Sequence, residues 1–240
     1  MALKRRPPAN NVRRAKTNGS NTWGTTTNQQ NETVQFESGL AKELLVTLLR
    51  KPGVVRIISE PVVITFWDTN GKQRTYTPDY KVIYEDGKIE IHEFSMSHAR
   101  LRSEIREREL GAYEHFRNLG WDYIVHTEYD LPSPTEYANL RAIRKFAPKV
   151  YDDPNVSRTV KAILISHAGR KISTCEVASQ VCATLNVPKS RVYSVIWHSI
   201  WHNKLAYNPD VLLILDGTPN PDAVIWIAHV DDIQIPAKRK

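Results

Sequence analysis

The sequence predicts an α/β protein in which a mixed sheet flanked by helices is followed by a smaller module of helices and a β-hairpin. Two observations carry this prediction. Segments of helical and strand periodicity alternate between residues 37 and 127, and three short helical segments follow residue 155. The chain has 240 residues, and 41% of them are hydrophobic, which is enough to build folded domains. The sequence contains no apolar run of about 18 residues, so we expect no membrane span.

The first half of the chain supplies the predicted sheet and its helices. Leucines spaced along one helical face predict a helix that begins at Glu37 and ends at Pro52-Gly53. A second helix is predicted over residues 98–119. Five of its apolar side chains are expected to face inwards: Leu101, Ile105, Leu110, Tyr113 and Phe116. Stretches rich in β-branched and aromatic residues predict strands at 54–58, 62–67, 74–84, 88–95 and 121–127.

The predicted organisation has four parts. A basic flexible arm covers residues 1–30, a first domain residues 31–148, a linker residues 149–155 and a second domain residues 156–240. The second domain is predicted to contain helices at 156–167, 174–185 and 188–202. Two strands follow, at 211–215 and 223–227, joined by a wing at 216–222.

Charge is distributed unevenly along the chain. The formal net charge is +7, but residues 1–30 carry +6, residues 31–140 carry −5 and residues 141–204 carry +8. Basic zones release counterions from phosphate, so we expect contact with double-stranded DNA. The residues of the arm expected to make this contact are Lys4, Arg5, Arg6, Arg13 and Arg14.

Cysteine usage and the N-terminus bear on the compartment. The two cysteines, Cys175 and Cys182, lie seven positions apart on a predicted helix, too far apart for a disulfide. The basic N-terminus lacks the apolar segment of a secretory signal. Together these features predict a reducing, cytoplasmic setting.

Three acidic residues of the first domain, Glu37, Asp79 and Glu93, form the candidate site. A three-residue loop ending at Gly87 would place Asp79 directly opposite Glu93 on neighbouring strands, about 5 Å apart. A two-residue loop would instead place Asp79 opposite Phe94, and the sequence leaves both registers open. Two carboxylates held so close repel one another unless a cation lies between them. Mg²⁺, for which Mn²⁺ can substitute, prefers such oxygen ligands together with phosphate and water.

The segment Tyr76-Thr77-Pro78-Asp79-Tyr80, followed by Ile91-His92-Glu93-Phe94-Ser95, resembles the Pro-Asp…Glu-x-Lys pattern of restriction-endonuclease-like nucleases. More narrowly, residues 35–147 resemble the TnsA family, the endonuclease subunit of certain bacterial cut-and-paste transposons. Supporting stretches are Phe36-Glu37-Ser38-Gly39-Leu40, Glu60-Pro61-Val62, Gly120-Trp121-Asp122-Tyr123 and Asn139-Leu140.

The resemblance implies a function and a set of partners. The chain would hydrolyse the non-transferred strand at transposon ends, together with a DDE-type, TnsB-like transposase and an AAA+, TnsC-like regulator. Glu37, Asp79 and Glu93 would hold the metal. The resemblance also implies a restriction-endonuclease-like first domain, a winged-helix-like second domain and a bacterial source.

One position departs from the family pattern. The lysine expected two residues after the third acid is replaced by Ser95, whose hydroxyl carries no charge. Lys81, two residues after Asp79 on the same predicted strand, is a candidate substitute. The arginines of the following helix at 100, 102 and 106 are others. His92 alternates away from Glu93 on its strand and is expected to pack or lie at the surface.

The second domain is predicted to be a winged helix, in which the third helix contacts DNA. The residues at the start of that helix, namely Lys189, Ser190, Arg191 and Tyr193, are candidates for this contact. Trp197 and Trp201 are expected in the core or at a partner surface. The predicted wing is acidic, which leaves DNA contact and protein docking as equal alternatives for this domain.

Three functional hypotheses therefore remain from the sequence. The first is an active Mg²⁺-dependent endonuclease, and the second is an assembly subunit of the same machine whose site no longer cuts. The third is a winged-helix transcription regulator with a ligand-sensing first domain.

Overall fold

The computed structural model describes residues 24–167 and 170–228. These residues form two compact units, and the chain passes from the first to the second between Leu131 and Pro132. The prediction of a mixed α/β protein with a sheet flanked by helices is confirmed for the first unit.

The first unit is built on a four-stranded sheet with the order β3-β6-β7-β8, in which only the β7–β8 pair is parallel. Helix α1 contacts β3 and β7, and helix α2 contacts β8 and β4. Two antiparallel hairpins, β1–β2 and β4–β5, complete the unit. The bounds are β1 Gly24–Thr27, β2 Thr33–Phe36, α1 Gly39–Leu49, β3 Val54–Ser59, β4 Ile64–Trp67, β5 Gln73–Tyr76, β6 Tyr80–Tyr84, β7 Ile89–Phe94, α2 Ser103–Asn118 and β8 Asp122–His126.

The start of α1 follows from a local cap. The Ser38 hydroxyl accepts a hydrogen bond from the Ala41 amide, so the helix begins at Gly39 and Glu37 lies just before it. The predicted strand at 74–84 is in fact two strands, β5 and β6, separated by Thr77-Pro78-Asp79. Pro78 has no amide hydrogen to donate to a ladder, which explains the interruption.

The inward face of α2 differs from the predicted one. Leu101, Leu110 and Tyr113 are exposed, whereas Ala112 and Phe116 are buried. The side chains of Ile64, Tyr76 and Ile91 pack with these two, because the small residues Gly111 and Ala112 allow α2 to approach the sheet closely.

The predicted arm also ends earlier than residue 30, because β1 pairs with β2 from Gly24 onwards. The five basic residues predicted to bind DNA from the arm lie outside the described residues. They are Lys4, Arg5, Arg6, Arg13 and Arg14.

The second unit contains four α-helices within the described residues and a three-stranded sheet of order β10-β13-β9. A short hairpin, β11–β12, lies within the connection from β10 to β13. The bounds are α3 Pro134–Ile143, α4 Pro154–Ser166, β9 Ile172–Ser173, α5 Thr174–Leu185, α6 Lys189–Trp201, β10 Leu205–Tyr207, β11 Ile214–Leu215, β12 Thr218–Pro219 and β13 Val224–Ile227.

The predicted pairing of residues 211–215 with 223–227 is wrong, because β13 pairs with β10 and β9 instead. Two asparagines hold residues 211–213 outside that sheet. The Asn139 amide donates to the Val211 carbonyl and accepts from the Leu213 amide, and Asn220 donates to the Leu212 carbonyl.

The division between the units lies earlier than the predicted linker at 149–155. Helix α3 and residues 144–151 pack in the second unit, although residues up to 148 were predicted in the first domain and residues 149–151 in the linker. Here the carbonyls of Phe146 and Ala147 bond to the rings of His198 and His202. The C-terminal half of α6 is consequently buried, and the expectation that Trp197 and Trp201 lie in a core is confirmed.

Candidate active site

The hairpin from β6 to β7 adopts the three-residue loop. Tyr84 and Lys88 pair, Gly87 has a φ of 83°, and Tyr80 faces His92 across the ladder. Continuing this register by one residue brings Asp79 opposite Glu93, which confirms the first of the two registers. The Asp79 amide donates to Glu93 Oε2 at 3.3 Å, and the Phe94 amide donates to Asp79 Oδ2 at 2.8 Å.

Asp79 lines a pocket of about 120 Å³ at this end of the sheet. Glu37, just before α1, and Glu60, just after β3, line the same pocket. Withdrawal from solvent raises the pKa of Asp79 to about 6. The Phe94 amide and Arg108 oppose this rise, and the charges of Glu37 and Glu60 add to it. The structure therefore brings together two of the three predicted metal ligands, Glu37 and Asp79.

Glu93 is buried and is held by other groups. Its Oε2 accepts a short hydrogen bond from the Tyr76 hydroxyl, and its Oε1 accepts one from Arg108 Nη2 at 3.0 Å. Burial and the neighbouring Asp79 charge raise the pKa of Glu93, against the effect of Arg108 and Tyr76. Glu93 adjoins Asp79 through the Asp79 amide but is not among the residues that line the pocket.

The cation that bonds to the Glu93 carboxylate comes from α2. Arg108 bonds to Glu93, and its guanidinium carbon lies 4.9 Å from the centre of the Tyr76 ring. The ammonium of Lys81 instead lies 3.8 Å from the centre of the Trp121 ring, and desolvation lowers its pKa. Arg100 pairs with Glu109.

Ser95 lies at the end of β7 and is buried. Its amide donates to the His126 carbonyl at 2.9 Å, which extends the β7–β8 ladder. A serine hydroxyl carries no charge, and the cation that bonds to Glu93 is Arg108.

A second polar cluster lies along β7 and β8. His92 is fully buried, its Nδ1 lies 2.7 Å from His126 Nε2, and its Nε2 lies 2.9 Å from Glu90. Burial lowers the pKa of both histidines, that of His126 to about 4, so both rings are neutral at pH 7. Lys51 and Lys88 also bond to Glu90. The cluster is internally satisfied. His92 was expected either to pack or to lie at the surface, and the structure shows that it packs.

The donor chemistry of the pocket fits Mg²⁺, because carboxylate oxygens are the ligands that this ion prefers. In residues 24–167 and 170–228 no three side chains of His, Cys, Asp or Glu are placed so that they could hold an ion directly. The pocket thus provides a set of oxygen donors and not a finished coordination shell. Glu37, Glu60 and Asp79 are the carboxylates that would turn towards a bound ion.

The residues predicted to contact DNA from the second unit lie at the start of α6. Lys189, Ser190 and Arg191 are exposed, and Arg191 pairs with Asp153, with its Nε 2.8 Å from Asp153 Oδ2. Tyr193 is half-buried. Its ring stacks on Trp197, and its hydroxyl donates to Cys175 Sγ at 3.3 Å. Both cysteines lie on α5 and are free thiols, as predicted.

Four residues of the site were missed by the sequence analysis as site residues: Gln35, Glu60, Tyr76 and Arg108. Glu60 and Tyr76 belong to stretches that carry the family resemblance, which was the available signal. Glu60 also has a φ of 46°, a backbone conformation that no pattern in the sequence predicts. Arg108 lies among several Arg and Glu residues of α2, and the sequence gives no pattern that distinguishes it from them.

Within the described part of the chain, no helix has the length and apolar character needed to cross a bilayer. Comparison of the sequence with protein-family models finds no match, and comparison with curated proteins finds none either.

Proposed function

We propose that the chain is a Mg²⁺-dependent DNA endonuclease, the subunit of a cut-and-paste transposase that hydrolyses the non-transferred strand at transposon ends. The observation that carries the proposal is the register of the β6–β7 hairpin. It sets Asp79 opposite Glu93 at the edge of a pocket that Glu37 also lines. Asp79 and Glu93 are the acids of the Pro-Asp…Glu-x-Lys pattern that the sequence resembles, and Glu37 is the helix acid that the resemblance adds to them.

The chemistry is divided among the residues of the pocket. A bound Mg²⁺ supplies neutralisation of phosphate charge and activation of water. Glu37 and Asp79 offer the oxygen ligands, and Arg108 supplies a positive charge beside them that Ser95 does not. Arg108 also keeps the buried Glu93 carboxylate paired.

The element order of the second unit supports a winged-helix assignment. Helix α4, strand β9, helices α5 and α6, strand β10, a long connection and strand β13 follow one another, and β13 is central in the sheet. Lys189 and Arg191 at the exposed start of α6 would contact DNA phosphates. A TnsB-like transposase and a TnsC-like regulator are the proposed protein partners.

The test is a nicking assay on a supercoiled plasmid carrying transposon ends, with Mg²⁺ or Mn²⁺, with and without the transposase. We expect strand cleavage by the wild type and none by Asp79→Ala, with DNA binding unchanged or tighter. The tighter binding would follow from the removal of a negative charge near phosphate. Equal cleavage by the two proteins would refute the assignment of the site.

A second candidate function is an assembly subunit of the same machine that binds DNA and partners without cutting. The observation in its favour is Ser95 at the position of the motif lysine, together with the engagement of Glu93 by Tyr76 and Arg108. This candidate predicts that Asp79→Ala leaves transposition in the complete system intact, whereas the endonuclease predicts loss of excision. Specific binding to a single promoter-like duplex, independent of a transposase, would favour a transcription regulator instead.

A further inference from the structure

Three acidic residues lie in one row across neighbouring strands of the first unit. Ser59 pairs with Tyr80, so the next position places Glu60 opposite Asp79, and the Glu60 amide donates to the Asp79 carbonyl at 2.8 Å. On its other side Asp79 faces Glu93. Asp79 therefore has a carboxylate neighbour on each side. Of these two neighbours, Glu60 lines the pocket and Glu93 does not.

Glu60 lines the pocket together with Glu37 and Asp79. The backbone φ of Glu60 is 46°, in the left-handed region. Residues with side chains longer than that of Asn rarely adopt this conformation. Such a conformation costs on the order of 1–3 kcal/mol and persists mainly at functional sites. A glycine at position 60 would remove this cost, so the backbone strain indicates that a side chain is needed there.

Gln35 provides a second, independent observation. It lies in β2, lines the same pocket and is 8% exposed. Its Oε1 is buried and accepts no hydrogen bond from the residues that the structure describes. A buried amide oxygen without a donor is unfavourable unless a ligand satisfies it, and a divalent cation is such a ligand.

Glu93 does not line the pocket, and protein groups hold both of its carboxylate oxygens. Tyr76 and the Asp79 amide donate to Oε2, and Arg108 donates to Oε1. Turning this carboxylate into the pocket would leave Arg108 Nη2 without this acceptor and would leave the Tyr76 hydroxyl with only the Tyr123 hydroxyl, 3.3 Å away. The desolvation cost makes that rearrangement unfavourable.

We propose that Glu60, and not Glu93, is the third carboxylate ligand of the divalent-cation site formed with Glu37 and Asp79, and that Gln35 Oε1 is a further oxygen ligand. This inference rests on the proposed function for the presence of the cation. Glu93 then acts as a positioning residue, which holds Arg108 next to the pocket.

The test uses two isosteric substitutions in the full chain, Glu60→Gln and Glu93→Gln, and Mn²⁺ as the probe. Calorimetric titration and the electron paramagnetic resonance of free Mn²⁺ report binding without reference to cleavage. We expect Glu60→Gln to weaken Mn²⁺ binding by about tenfold or more, and Glu93→Gln by less than about threefold. Gln35→Met, which keeps the size of the side chain but lacks the amide oxygen, is expected to weaken binding by an intermediate factor.

Thermal unfolding of each variant separates loss of a ligand from loss of the fold. If Glu60→Gln does not fold, Glu60→Asp keeps the charge on a shorter side chain and is expected to weaken Mn²⁺ binding while folding. Equal losses in Glu60→Gln and Glu93→Gln would overturn the inference, as would wild-type affinity in Glu60→Gln or a wild type that does not bind Mn²⁺.

Plasmid nicking by the same proteins distinguishes this inference from the proposed function. Selective loss of Mn²⁺ binding in Glu60→Gln, with a wild type that never nicks DNA, would support the ligand assignment and refute the endonuclease. Nicking by the wild type that depends on Glu93 and not on Glu60 would support the endonuclease and refute the ligand assignment.

Discussion

Arg108 and Glu93 illustrate how a single pair of residues shapes the candidate site. The carboxylate is buried, and the guanidinium that bonds to it is about a quarter exposed. Removing the cation leaves a buried negative charge without its partner, which is more costly than removing both groups. The pair is therefore expected to behave as one energetic unit.

A double-mutant cycle tests this expectation. Arg108→Met should lower the free energy of unfolding at pH 8 by about 2–3 kcal/mol. In the Glu93→Gln background the same substitution should cost less, giving a coupling energy on the order of 1–3 kcal/mol in urea unfolding. Arg108→Lys, which retains the charge, is the matched control and should recover part of the loss. Additivity of the two single substitutions would contradict the role assigned to the pair.

The neighbouring His92–His126 pair gives a pH dependence of known sign. The pKa of His126 in the folded protein is about 4, below its ordinary value of 6.5, so the unfolded chain binds the proton more readily between these values. Stability contributed by the neutral ring is present above pH 6.5 and is lost as the pH falls towards 4. The full loss is on the order of 3 kcal/mol.

Substitution of His126 by Gln isolates this contribution, because the amide keeps a hydrogen-bonding partner for His92 and does not titrate. We expect the difference in unfolding free energy between wild type and His126→Gln to shift in favour of the variant as the pH falls from 6.5 to 4. Urea unfolding followed by circular dichroism at several pH values provides the measurement. A difference that is constant across this window would contradict the neutral, buried state of His126.

At the scale of elements, the approach of α2 to strand β4 depends on Gly111. A Cβ built there would lie 2.6 Å from Cβ of Phe66 in β4, closer than atoms can pack. Helix α2 carries Arg108, so the position of this helix also sets the position of the cation at Glu93.

Gly111→Ala should consequently lower the free energy of unfolding by about 1–3 kcal/mol, although alanine favours helix more than glycine does. Gly39→Ala in α1 is the matched control, since nothing lies within 4 Å of a Cβ at that position. We expect that control to be neutral or slightly stabilising in thermal unfolding. A stabilised Gly111→Ala protein would show that α2 can move away from β4 without cost.

Local signals in the sequence predicted much of the first unit, and the missing parts depend on contacts between distant residues. The Gly87 turn predicted the hairpin and limited it to two registers, because hairpin pairing follows from the length of its loop, and the structure adopts the register of the three-residue loop. Glu60 meets Asp79 only through the pairing of β3 with β6, and Glu93 meets Arg108 only through the packing of α2. Neither contact leaves a periodic signal in the sequence. The pairing of residues 211–215 was misassigned for a similar reason, since Asn139 holds that segment from 72 positions away.

At the scale of the whole molecule, the charge of the N-terminal residues predicts how the proposed DNA binding depends on salt. Residues 1–16 carry six basic side chains and no acid. If each neutralises one phosphate, their deletion should reduce the slope of log K against log salt by up to about 5 for duplex DNA. Fluorescence anisotropy of a labelled duplex at several salt concentrations measures this slope, and full-length protein in which the six residues are changed to Gln is the control for chain length. An unchanged slope in both proteins would locate the phosphate contacts elsewhere.

The division of the chain into two units predicts where it can be cut into folding fragments. Helix α3 and residues 144–151 belong with the second unit, because Asn139 bonds to Val211 and Leu213, and His198 and His202 bond to the backbone at 146 and 147. A fragment that starts at residue 132 retains these partners, whereas one that starts at residue 152 lacks Asn139 and the carbonyls to which His198 and His202 bond. We expect the longer fragment to unfold cooperatively on heating and the shorter one to have a lower midpoint or no transition. Asn139→Ala in the longer fragment removes one buried and one partly buried hydrogen bond and should by itself lower the unfolding free energy by about 2 kcal/mol. If the shorter fragment were as stable as the longer one, the second unit would begin at or after residue 152 and α3 would not be part of its core.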